Sequence, residues 1–301
     1  MKLVEENIIR QREQFITIKT VNSKQTYISL MKRSVSQSDV DEKKNVDKDT
    51  STEPKSQKQK VDEKETNIAE ESSEEEGELL EEDNTLLIDA LSNKWKEDLK
   101  KPPPRNIVES PLQHACAGSK IQGLWLEFGV FSGKTINLMA QYAPEGVVVS
   151  GFDTFEGLPE SWRDKFDKGA FDRGGKFPKV ASNVRLVKGL FQDTLEGWIK
   201  QNVKDDDKVS ICHLDADLYS ATIFVLRTLS KYIVPGTILV FDELINFPGY
   251  EEHEWKALLE SVLEFGWSFE WIGQSAVLED PPVIDVWKTQ QVGLRITGAN
   301  K

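Results

Sequence analysis

Four acids carry the first chemical signal in this sequence. Asp153, Asp215 and the pair Asp242-Glu243 stand directly after apolar runs of strand character, Val147 to Phe152, Val209 to Leu214 and Thr237 to Phe241. In an open α/β sheet the ligand crevice lies outside the carboxyl ends of the strands, so side chains at these positions meet a ligand. Carboxylates gathered on one rim lose solvation and repel one another unless a cation or ligand offsets them. An all-oxygen donor set suits a hard divalent cation, Mg²⁺ above all, with water and substrate oxygens completing six-coordination. Zinc is not expected, because no Cys/His cluster has ligand spacing.

The second signal is the turn that must face those acids, Trp125-Leu126-Glu127-Phe128-Gly129-Val130-Phe131-Ser132-Gly133-Lys134-Thr135. Gly123 to Phe128 reads as one buried strand. Lys134 to Tyr142 reads as a helix, with Ile136, Leu138, Met139 and Tyr142 on one face. Glycines let the backbone approach a ligand closely, and the helix N-terminus presents free N–H groups. Neither common phosphate motif fits. Phe131 stands where a dinucleotide fingerprint needs its second glycine, and the loop is one residue short of a Walker A loop. Asp153 follows about twenty residues later, where a carboxylate accepts the hydroxyls of a ribose.

The remaining elements supply the scaffold. Strands are predicted at Gly146 to Phe152, Val184 to Val187, Val209 to Leu214, Thr237 to Phe241, Phe269 to Ile272 and Val292 to Ile296. Helices are predicted up to Gln201, capped by Asp193 or Thr194, and over Ser220 to Ile233 and His253 to Phe265. Such alternation predicts a doubly wound α/β fold on a mostly parallel seven-stranded sheet. The last two strands have no helix between them and should pair antiparallel. Thr154 to Ser182 is a long connection with Trp162, Phe166, Phe171 and Phe177, and loops of this length in compact domains are usually functional.

Composition divides the chain before residue 123. Residues 1–31 hold a candidate hairpin or are disordered, and residues 32–84, without an aromatic residue and with few large aliphatic ones, read as a disordered charged linker. Residues 85–122 read as a helical lid, broken by Pro102-Pro103-Pro104, and the α/β domain runs from 123 to 301. The net charge is −13, yet Val61 to Asp83 alone carries −11, leaving about −2 for everything else. Without a basic excess, nucleic acid is not the expected partner. The acidic segment is a solvated spacer or a tail for a protein partner. Two cysteines give no disulfide framework, and no apolar run is long enough to cross a membrane. The expectation is a soluble cytoplasmic protein, with a homo-oligomer left open.

Taken together, Glu127-Phe128-Gly129-Val130-Phe131-Ser132-Gly133, Gly151-Phe152-Asp153-Thr154-Phe155-Glu156-Gly157-Leu158-Pro159, and Leu214-Asp215-Ala216-Asp217-Leu218-Tyr219 with Asp242-Glu243 resemble the macrocin O-methyltransferase (TylF-like) family of class I S-adenosylmethionine-dependent methyltransferases. The likeness spans roughly residues 105–298. It implies S-adenosylmethionine bound by Glu127, Gly129, Phe131, Ser132, Gly133, Asp153, Thr154, Phe155, Gly189, Gln192 and Asp215. It also implies Mg²⁺ on Asp215, Asp242 and Glu243. The family usually has Asp-Asp at the closing pair, so Glu243 departs from the pattern by one methylene. The related catechol-type enzymes place a lysine where Leu218 stands, which argues against a catechol acceptor.

The implied reaction is O-methylation of a small hydroxylated molecule, a sugar or polyol. Asp215 or its neighbour Asp217 is the expected base, with His253 as second choice and His213 read as a packed core histidine. Trp162 and Phe166 are candidates to close over the substrate. Two alternatives stand beside this reading: a nucleotide-dependent enzyme using the near-Walker turn, and an inert scaffold of the same fold. Acids at every one of these strand ends weigh against the scaffold.

Overall fold

The computed structural model describes residues 85–282 and 286–299. The hairpin expected within 1–31 and the charged segment 32–84 lie outside the described residues. The strands are β1 (Leu124–Phe128), β2 (Val149–Asp153), β3 (Val184–Lys188), β4 (Val209–Leu214), β5 (Ile238–Phe241), β6 (Ser268–Gln274) and β7 (Val292–Gly298). The helices are α1 (residues 85–100), α2 (Pro111–Gly118), α3 (Lys134–Tyr142), α4 (Phe191–Asn202), α5 (Tyr219–Leu229) and α6 (Glu254–Phe265).

One sheet runs in the order β3-β2-β1-β4-β5-β7-β6. The first five strands pair in parallel, and β7 is antiparallel to both β5 and β6. This is the class I methyltransferase layout that the strand pattern predicts. The order reverses between β1 and β4, the topological switch point where a crevice opens at the strand ends.

The period of two along each strand sorts the core into two layers. Leu126 and Phe128 of β1, Cys212 and Leu214 of β4, and Leu239 and Phe241 of β5 pack with Trp95, Leu195, Leu226 and Trp255 from α1, α4, α5 and α6. Trp125, Ile211, Ile238 and Val240 take the other face, against Leu112 and Cys116 of α2 and Ile136 and Met139 of α3. Both cysteines are free and buried, and burial pushes the Cys116 thiol up to about 12, so it is a filler and not a nucleophile.

Three local expectations are corrected. β2 begins at Val149, because pairing with β1 starts there, and Val148 is 45% exposed. α4 begins at Phe191 with Leu190 as its N-cap and no side-chain cap, so neither Asp193 nor Thr194 caps it. Asp193 instead lies in the first turn, where a negative charge favours the helix dipole, and Thr194 donates back to the Leu190 carbonyl at 2.8 Å. The helix expected to reach Ile233 ends at Leu229 and continues as a 3₁₀ turn over Ser230–Tyr232.

Candidate active site

The backbone ladder continues one residue past three strand ends. Gly129 N–H donates to the Phe152 carbonyl at 2.9 Å, Asp215 N–H to Phe128 at 2.8 Å, and Asp242 N–H to Leu214 at 2.9 Å. Each bond fixes the residue that leaves its strand, so side chains far apart in sequence share one rim. Oxygens of Asp215, Asp242 and Glu243 lie within 4.8 Å of one another. They face a cleft of about 390 Å³ that Gly129, Phe131, Asp153, Thr154, Leu190, Phe191, Gln192 and Asp217 also line.

The glycine turn is shaped by close approach. A Cβ on Gly129, whose φ is +90°, would stand 1.7 Å from the Asp215 carbonyl oxygen. Only a residue without Cβ lets β1 and β4 come this near at the mouth of the cleft. Asp153 then locks the turn. Its Oδ2 accepts from the N–H groups of Val130 at 2.8 Å and Phe131 at 2.7 Å, and its Oδ1 accepts from Phe155 N–H at 2.6 Å. The N–H groups that would cradle a phosphate are thus occupied by a carboxylate, which counts against the near-Walker alternative. Asp153→Asn places an amide NH₂ beside these donors. Hydrogen bonds to charged groups contribute about 1.5–3 kcal/mol, so folding stability should fall by about that amount in denaturant melts.

Behind the rim lies a buried relay of charges. Strand register sets Glu127 opposite His213, and the period of two carries both onto the face from which Asp242 emerges. His213 Nδ1 is 2.9 Å from Glu127 Oε1, and its Nε2 is 3.2 Å from Asp242 Oδ1. Both ring nitrogens therefore meet carboxylate acceptors. Burial alone lowers the His213 pKa, but the bonds to Asp242 and Glu127 outweigh it and raise the value well above the ordinary range. Burial likewise works to raise Asp242, yet the His213 bond and charge, with the Gln291 amide donating to Oδ1, hold its carboxyl below the usual range.

The other acids are pushed the opposite way. Burial, then the Asp242 charge, raises Asp215 and Glu243 well above the carboxylate range. Burial and Asp242 push Asp217 up to about 8, with Arg163 opposing. Asp217 adopts φ +60°, a costly conformation for a residue with Cβ and one that recurs at functional sites. Glu243 is 1% exposed; its N–H donates to Glu254 Oε2 at 3.1 Å, while its own Oε2 has no hydrogen-bond partner.

The structure gathers Gly129, Phe131, Asp153, Thr154, Gln192, Asp215, Asp217, Asp242 and Glu243 on the cleft. It places the other expected residues elsewhere. Glu127 is fully buried beneath the rim and bonds to His213 instead of reaching the cleft. Ser132, Gly133, Phe155 and Gly189 shape the flanking turns, with Gly133 as the left-handed N-cap of α3 and Gly189 N–H donating to the Asp153 carbonyl at 3.0 Å. His253 does not line the cleft; it packs against Phe247 and Trp162 at 5.8 and 6.3 Å. Burial, then Arg163, lowers its pKa. Trp162 and Phe166, expected over the substrate, stack around the Arg163 guanidinium behind the wall, while Phe171 and Trp287 line it. No residue of 85–122 lines the cleft. Sequence reasoning missed Gln291, Glu254 and Trp287, which nothing but three-dimensional register brings to the site.

Residues 126–244 match the family model described as a methyltransferase domain. No curated protein sequence matches the chain. Among solved structures, the chain is similar to CalS11, a calicheamicin methyltransferase, at 22% identity over 61% of this chain and 75% of that one, with a TM-score of 0.43. It is similar to the O-methyltransferase NovP at 19% identity over 62% of this chain and 78% of that one, with a TM-score of 0.41. It is also similar to the O-methyltransferase TomG from Streptomyces achromogenes, solved with SAM, at 13% identity over 69% of this chain and 90% of that one, with a TM-score of 0.36. The span from β1 to just past β5, which holds Gly129, Asp153, Asp215, Asp242 and Glu243, thus matches a methyltransferase domain.

Proposed function

We propose that this protein is an S-adenosylmethionine-dependent, Mg²⁺-assisted O-methyltransferase that acts on a hydroxyl of a sugar or small polyol, as its likeness to the macrocin O-methyltransferases implies. One observation carries the reading: oxygens of Asp215, Asp242 and Glu243 lie within 4.8 Å of one another on the cleft that Gly129 and Asp153 also line. The donor set fits the ion. Asp215, Asp242 and Glu243 would hold it through hard carboxylate oxygens, and Glu243 Oε2 has no hydrogen-bond partner of its own. When bound, Mg²⁺ supplies Lewis-acid polarisation of a substrate oxygen.

The chain's own residues supply the rest. Gly129 and Asp153 would hold the nucleoside, with Leu190, Phe191 and Gln192 lining the same cleft as its wall. A carboxylate oxygen of Asp217 or Asp215 receives the hydroxyl proton; a group near 8, as Asp217 is, suits a base at neutral pH. The acceptor oxygen forms its bond to the methyl carbon as the carbon–sulfur bond breaks, leaving a neutral thioether. No covalent enzyme intermediate is required, and orientation supplies much of the rate.

The test is transfer of tritiated methyl from S-adenosylmethionine to a panel of polyols and glycosides, with Mg²⁺ and with a chelator. Transfer that collapses on chelation and returns with Mg²⁺ is the expected result. Undiminished transfer under chelation contradicts the ion's part, and failure to bind S-adenosylhomocysteine contradicts the whole reading.

A further inference from the structure

We propose that Trp287 and Phe171 form the wall on which the acceptor ring stacks, and that the ring entering the cleft is neutral or amine-bearing, without an anionic substituent. This inference rests on the methyltransferase reading of the same cleft and names the acceptor class within it.

The wall is aromatic and braced from behind. Trp287 meets Phe166 edge-on at 5.3 Å, and Phe171 stacks on Phe166 at 5.4 Å with 12° between planes. Trp162 and the Arg163 guanidinium back this layer, the guanidinium 3.9 Å from the Trp162 ring and 5.1 Å from that of Trp287. Braced rings keep their orientation and need little ordering when a ligand arrives. Trp287 nevertheless remains 46% exposed while it lines the cleft with Phe171. An indole held rigid and half in solvent is unfavourable unless something covers it. The apolar C–H face of a hydroxylated ring fits such a surface and leaves its hydroxyl edge for the rim.

The rim fixes the charge of what enters. Among the described residues lining the cleft, the charged ones are Asp153, Asp215, Asp217, Asp242 and Glu243, and none is Lys, Arg or His. No side chain lining the cleft therefore offers a cation to an anionic substituent beside the reacting hydroxyl, which would lose its solvation without a partner.

The experiment uses the full chain with S-adenosylhomocysteine and Mg²⁺ and four matched pyranoses: a neutral methyl glycoside, its amino-sugar counterpart, the uronate and the sugar phosphate. Binding is read by saturation-transfer NMR and tryptophan fluorescence, and turnover by tritiated methyl. The neutral or amino ring should bind and turn over at least about tenfold better than the anionic pair. Trp287→Ala should raise acceptor KM about tenfold, the equivalent of a stacking contact. In that variant S-adenosylhomocysteine affinity should stay within about twofold, and Trp287→Phe should retain most of the binding. Equal or better use of the uronate or phosphate, no binding by any of the four sugars, or an unchanged KM in Trp287→Ala overturns the inference. Loss of S-adenosylhomocysteine binding by the wild-type chain strikes the methyltransferase reading itself and takes this inference with it.

Discussion

Asp215→Asn is expected to cut methyl transfer by roughly 10²–10³-fold, the scale of losing one electrostatic element of a preorganised site. The substitution keeps the shape of the side chain and removes its charge. The backbone N–H of Asp215 still donates to the Phe128 carbonyl, so β1 and β4 keep their approach. Cofactor binding should therefore fall less than about tenfold, which separates a chemical loss from a folding loss. The measurement is kcat with tritiated S-adenosylmethionine beside the Kd for S-adenosylhomocysteine. A companion variant tests side-chain length and charge at position 243. Glu243→Asp shortens the side chain by one methylene and should keep activity within about tenfold, whereas Glu243→Gln should lose it on the Asp215→Asn scale. Full activity in Asp215→Asn would remove this acid from the reaction.

Gly129→Ala carries the largest expected structural effect. The added Cβ would lie 1.7 Å from the Asp215 carbonyl oxygen and 2.7 Å from its carbon, both backbone atoms that cannot rotate away. Its φ of +90° also lies in the left-handed region, which costs a residue with Cβ about 1–2 kcal/mol. Overpacking adds about 1–3 kcal/mol, so a total of about 2–5 kcal/mol is expected. For a domain of this size that lowers Tm by about 10 °C. S-adenosylhomocysteine binding should be lost as well, because β4 can relieve the clash only by moving Asp215 off the rim. Gly146→Ala is the control. Gly146 has φ +81° but nothing within 4 Å of an added Cβ, so it isolates backbone strain and should cost only about 1–2 kcal/mol. Denaturant melts of the two variants check the difference, and equal losses would mean that the close approach at Gly129 is not a constraint.

The sheet was legible because strand ends and turns are written locally. Apolar runs ending in an acid, a glycine turn between Phe128 and Lys134, and the absence of a helix before β7 predict a mostly parallel seven-stranded sheet and its antiparallel end. The rim acids were legible for the same reason, since a residue that follows a strand in an open α/β sheet lies at the crevice. What a side chain does there depends on register, which no local pattern states. Glu127 sits in a motif that suggests cofactor binding, yet pairing with His213 turns it into a buried partner of the rim. Gln291 reaches Asp242 only because β7 lies beside β5. Trp162 and Trp287 look alike in sequence, and packing around Arg163 leaves the first 6% exposed and the second 46%.

The most direct test of the central claim is a Mn²⁺ titration followed by electron paramagnetic resonance on the S-adenosylhomocysteine-loaded protein, comparing wild type with the triple variant Asp215→Asn, Asp242→Asn, Glu243→Gln. The account predicts one site in the wild type that Mg²⁺ displaces, and its loss in a triple variant that keeps its circular dichroism spectrum. Equal Mn²⁺ binding by both proteins, or none by the wild type, would contradict the claim that these acids form one ion site.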